Sequence, residues 1–304
     1  MWKKTAPIMA LALMATSASA IAGACEDSFE AIGDPRNGQV FNALIKKPGM
    51  KIESALGQIR KLATDEGHFV SADNIKGKQG QLFVMQTTTR TPVVTQVNVD
   101  AAGNIFMGVR LAKTQSMTVE GARGAMCGML NQLKTGKEGE AIAAAARAAS
   151  PFNTPTSTTA VALSGELGKE TKLLARTMQD GSFKDMLFGD LSSPNALRES
   201  RMLPLAARYV GRPYIIDGQV YTAIANQYSG VFEVGYLVTK RQGLLQVKQS
   251  ASRNNDQFTV HCELAADQAK LAATLGSEDW VKLSGIVDSI DLRGIRLREC
   301  RQAS

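Results

Sequence analysis

The residues that could do chemistry are few. The chain has two histidines, His68 and His261, and neither stands in an H-x-x-x-H or similar metal-ligand spacing. His68 opens a predicted strand just after a helix stop, and His261 lies inside one. A lone histidine on a strand is more often a packing or surface residue than a ligand or a base. No G-x-S-x-G nucleophile elbow and no phosphate-binding loop occurs. The carboxylates Glu278-Asp279 and Asp288/Asp291 fall at a helix exit and a turn, where acids cap backbone amides. Gly121 and Gly124 interrupt a helical pattern and read as close packing. These residues predict no catalytic group, no metal site and no cofactor.

Covalent chemistry remains for the four cysteines, Cys25, Cys127, Cys262 and Cys300. None forms a C-x-x-C or a histidine-paired set, so structural disulfides are expected, and with them an oxidising compartment. Cys262 and Cys300 end strands that can be neighbours in a small barrel. Cys25 with Cys127 follows by elimination only.

Aromatic chemistry is concentrated. All five tyrosines fall between Tyr209 and Tyr236. Tyr221, Phe232 and Tyr236 are the candidate binding face, with Lys240, Arg241, Arg293 and Arg296 along its rim, and Trp280 joins them in the predicted fold. Aromatics there can stack on bases or sugars, or anchor a partner. The plainer alternative also stands: strands favour tyrosine, and many of these rings fill a core.

The elements that must position these residues alternate β-branched runs with short breaks. Pro213–Ala225, with Gly218 at a bend, is the first strand. Residues 231–239, 244–248 and 256–264 follow, then a helix over 265–275. A hairpin of 281–290 and 294–300 closes the set. These six runs, with one helix before the final hairpin, follow the order of an OB-like five-stranded barrel over 208–304, one run more than its strand count. The runs YVGRPYIIDGQV and FTVHCEL, then a helix, then WVKLSGIVDSIDLRGIRLREC resemble bacterial OB-fold proteins of the tRNA-anti-like group, over roughly the last third of the chain. Several exported members of that group lack an enzymatic site, so the resemblance implies binding rather than catalysis.

Before the barrel, residues 25–136 read β-α-β-β-β-β-α: strands 39–46, 68–74, 81–88, 93–100 and 105–111, with helices 52–66 and 117–133. This predicts an α+β domain, an antiparallel sheet with two helices. Residues 26–38 read as irregular. Residues 137–164, an alanine run followed by a Pro/Thr/Ser tract, read as a linker, and 165–207 as a helical segment. The fold class is thus an α+β domain joined to an all-β barrel through a helical linker region.

The N-terminus carries an address. Trp2-Lys3-Lys4 is a basic head, Pro7–Ala15 is apolar, and two small-residue cleavage sites end at Ala20 and Ala24. Residues 1–24 therefore read as a secretory signal peptide, too short in its apolar run to span a membrane. The expected location is periplasmic or secreted. Attachment of lipid to Cys25 stays open as an alternative to its bridge. Removing Lys3 and Lys4 with the leader takes the net charge from +7 to +5. The last 100 residues hold 12 Lys and Arg against 10 Asp and Glu, a weak footprint for a nucleic-acid domain. The expected function is a non-catalytic adaptor that docks an envelope protein or peptide. The alternative is a module for single-stranded nucleic acid or oligosaccharide.

Overall fold

The computed structural model describes residues 24–36, 38–87, 92–111, 115–187, 194–225, 231–238 and 258–304. The residues before 24, read above as part of a signal peptide, and the predicted strand 244–248 lie outside that set.

Burial with a period of two builds the N-terminal lobe. After α1 (Ala24–Ser28) and β1 (Glu30–Asp34), β2 (Gly38–Lys46) buries every second side chain. α2 (Ile52–Asp65) follows, and its Ile52, Ala55, Leu56, Ile59 and Ala63 recur at helical spacing to form its core face. Next come β3 (Phe69–Val70), β4 (Asn74–Lys76), β5 (Gln79–Gln86), β6 (Val93–Asp100) and β7 (Asn104–Leu111). The sheet runs β1-β2-β7-β6-β5-β3, with β4 also paired to β5, and is antiparallel throughout. α3 (Val119–Asn131) starts at Thr118, whose Oγ1 accepts from the Gly121 amide at 3.1 Å. It shares one core with α2 and the inner sheet face.

Three stretches differ from the sequence expectation. Residues 26–38 hold part of α1 and the edge strand β1; every residue of β1 is exposed, so there is no alternation to read. Residues 137–164 are folded. Their alanines form α4 (Gly136–Ala148), which packs on α2, and their Thr/Ser tract supplies β8 (Thr156–Thr159). Gly121 and Gly124 are not sites of tight helix packing. A Cβ on Gly124 would meet nothing within 4 Å, and one on Gly121 would meet the Thr118 cap of its own helix.

The C-terminal lobe starts with α5 (Ala160–Leu187) and α6 (Pro194–Tyr209). Then come β9 (Pro213–Ala225), β10 (Phe232–Tyr236), β11 (Thr259–Leu264), α7 (Ala269–Thr274), β12 (Trp280–Ile290) and β13 (Gly294–Gln302). The order β9-β10-β11-β13-β12 returns to β9, which closes a five-stranded barrel; β11 and β13 are parallel and the other four pairings antiparallel. β8 lies parallel to the first half of β9, and β10 pairs with its second half. Gly218 sits at that changeover, where a Cβ would stand 2.9 Å from the Tyr236 ring and 3.0 Å from Ala160. Leu163 and Leu167 of α5 and Leu205 and Ala207 of α6 join the barrel core.

Candidate functional site: the outer face of the barrel

β9, β10, β11 and β13 set a row of outward residues through their register. Thr222 pairs with Gly235, Gly235 with His261, and His261 with Arg296. The inward residues Val234, Val260, Cys262 and Leu297 are at most 0 % exposed, so the alternate positions face out. The next outward row is Ile224, Glu233 and Glu263. Glu233 joins the rows: its Oε1 lies 2.8 Å from His261 Nδ1 and its Oε2 3.2 Å from Arg296 Nη1. Gly235 leaves space over this group, since a Cβ there would stand 3.1 Å from Thr222 Oγ1.

One irregularity aims the aromatic part of the face. Gly235 pairs with Thr222 but Tyr236 pairs with Val220, so Tyr221 is an extra residue, a β-bulge. Beyond it Ile224 is 60 % exposed. Across the barrel seam Trp280 pairs with Gln219, two residues from Tyr221, and is 71 % exposed. Tyr221, Ile224 and Trp280 thus stand near one end of the barrel, on the strands β9 and β12 that pair there.

The face predicted from sequence divides. Tyr221 is at the surface and Phe232 is half-buried against the core. Tyr236 is a correction: it is buried inside the barrel, and its hydroxyl donates to the Ile216 carbonyl at 3.3 Å. Its phenol is pushed well above the usual tyrosine range, by burial first and by the charge of Asp217 second. Tyr209 and Tyr214 are likewise core residues. Arg296 is bound to Glu233 and so is not a free cation. Arg293 is exposed in the turn before β13, where its carbonyl accepts from the Thr259 amide at 2.7 Å. Lys240, Arg241 and Tyr228 lie outside the described residues. Ile224 and Glu233 are the members that sequence reasoning missed.

Both cysteine pairs are bonded. Cys262–Cys300 ties β11 to β13, with Cα atoms 5.9 Å apart, and Gly285 on β12 leaves room for the Cys300 sulfur. Cys25–Cys127 ties α1 to α3. That second bridge occupies the sulfur that lipid attachment would need.

The chemistry this face offers is contact: rings, one aliphatic side chain and a neutralised charge cluster. Among the described residues no three His, Cys, Asp or Glu side chains are grouped to hold a metal, and no helix is long and apolar enough to cross a membrane. No family model matches the chain, and no curated protein matches it significantly.

Proposed function

We propose that this is an exported, non-catalytic adaptor whose barrel is OB-like and docks an envelope protein or peptide. The observation that carries the reading is the exposed group Tyr221, Ile224 and Trp280 on paired strands of the barrel. Aromatic side chains give large contact area for little lost rotamer freedom, and so dominate protein interfaces. The OB-like assignment is supported by the closed strand order, by the parallel pairing of β11 with β13 and by α7 lying between β11 and β12. Export is supported by the N-terminal pattern of basic head, apolar run and small residues, and by the pairing of all four cysteines.

Single-stranded nucleic acid is the poorer fit. An OB barrel holds a strand across its second and third strands, here β10 and β11. Those carry Glu233 and Glu263 outward, and Arg296 is already paired. A polyanion needs unpaired cations there.

The test is a crosslinking pull-down from the cell envelope with the wild type and a Tyr221→Ser/Ile224→Ser/Trp280→Ser variant. The wild type is expected to retain a defined partner and the variant to lose it. Equal retention by both, or no partner for the wild type, removes the proposal. Titration with single-stranded DNA at low salt should be flat.

A further inference from the structure

The outer face of the N-terminal sheet carries a second site of different character. Its register lines up one row across five strands: Leu44, Phe106, Asn98, Gln81 and Asn74. Its last four members, from Phe106 to Asn74, line a cleft of about 380 Å³, within the usual range for small-ligand sites. Its floor is amide and ring. Gln81 Nε2 and Gln96 Nε2 both donate to Asn98 Oδ1, at 3.4 and 3.2 Å. That leaves Asn98 Nδ2, Gln81 Oε1 and Gln96 Oε1 without partners among the described residues. Asn74 is fixed from behind, its Oδ1 accepting from buried Arg298 at 3.0 Å, so its Nδ2 is the group on offer. Phe106 lies half-exposed over Gly108, where a Cβ would stand 2.9 Å from the ring.

The charges in the cleft are committed elsewhere. Lys76 Nζ is 3.1 Å from Asp288 Oδ2. Asp100 accepts from the Ala102 and Asn104 amides and from Asn104 Nδ2, and these bonds hold its carboxyl below the usual carboxylate range. An ordered set of amides offering both donors and acceptors, a ring beside it, a paired lysine and a carboxylate already capped by amides complement a neutral, hydroxyl-rich ligand. Strands lie about 4.8 Å apart, so Phe106 to Gln81 spans about 10 Å, the reach of two linked sugar rings.

We propose that this cleft binds a neutral oligosaccharide, one ring stacking on Phe106 and the next held by the amides of Asn98, Gln81 and Asn74. The site is separate from the barrel face and does not depend on the docking proposed for it. Hydroxyl and acetamido groups of the sugar supply the donors and acceptors that Asn98 Nδ2 and Gln81 Oε1 lack.

The experiment is an NMR titration of the disulfide-intact protein with chitotriose, cellotriose and maltotriose in the millimolar range. At least one sugar is expected to shift the amide signals of β4 to β7 and leave those of Trp280 and Ile224 in place. Phe106→Ala is expected to weaken binding about tenfold or more. Asn98→Asp, which keeps the shape but adds a charge, is expected to do the same. No response to any of the three sugars overturns the proposal. So does a response mapped to the barrel, or one left unchanged by both variants.

Discussion

At the scale of single residues, burial divides the tyrosines. Tyr209 is pushed up to about 12 by burial, with Glu166 and Glu170 adding to it. Tyr214 and Tyr236 move the same way, again mainly through burial. A phenol is neutral while protonated, so the unfolded chain gives up these protons first, near the usual value of about 10. The stability they contribute is complete below about pH 10 and is lost as pH rises toward 12. Denaturant midpoints should therefore fall across that window, and Tyr236→Phe should make the fall shallower. A level midpoint would show these phenols to be ordinary. The clustering of the tyrosines is legible in the sequence, but their division is only partly so. Phe232, Val234 and Tyr236 alternating with Glu233 and Gly235 is the signal that places Tyr236 inside. Ile224 had no such signal: counting by twos from Val220 would bury it. The bulge at Tyr221 reverses the parity, and a bulge depends on the partner strand.

At the scale of elements, spacing was readable where one face is broadly apolar and silent where it is not. α2 has nine buried residues and a clear period, so it stands out in the sequence. α4 buries only Gly139 and Ala143, and its alanines look like linker because they present no wide apolar stripe. They are small because the two helices touch. A Cβ on Gly57 would stand 2.6 Å from Ala143 Cβ and 2.7 Å from its Cα, and backbone cannot step aside as a flexible side chain can. Gly57→Ala should thus destabilise by about 1–3 kcal/mol through overpacking, less the roughly 0.5–1 kcal/mol that alanine adds in a helix. Gly124→Ala, in α3 with nothing within 4 Å, keeps only the second term and should stabilise. Thermal midpoints of the two variants should move in opposite directions. A shift of the same sign in both would mean that the α2–α4 contact is looser than its geometry.

At the scale of the molecule, the chain is not two independent bodies on a linker. β5 sends Leu82 and Val84 into the N-terminal core and Phe83 and Met85 into the core that holds the barrel. Such a strand carries hydrophobics on both faces, as one buried on two sides must. Arg298 completes the join. It is buried at 5 % exposure on β13, and donates to Asn74 Oδ1 at 3.0 Å and to the Ile75 carbonyl at 2.8 Å. Its Nε lies 3.4 Å from Asp288, which also holds Lys76. An arginine in a strand gives no hint in sequence that its partners are more than 200 residues away, because nothing local distinguishes it from Arg296, which faces solvent two residues earlier. Removing it leaves two acceptors without their donor and Asp288 with Lys76 as its remaining cation, a loss of about 3–5 kcal/mol for a buried charge network. If the lobes are coupled in this way, the wild type melts in one calorimetric transition, and Arg298→Ala melts lower with amide exchange rising first in β4. A variant with the midpoint and exchange pattern of the wild type would place the coupling in the shared apolar core of Phe83, Met85 and Val94 instead.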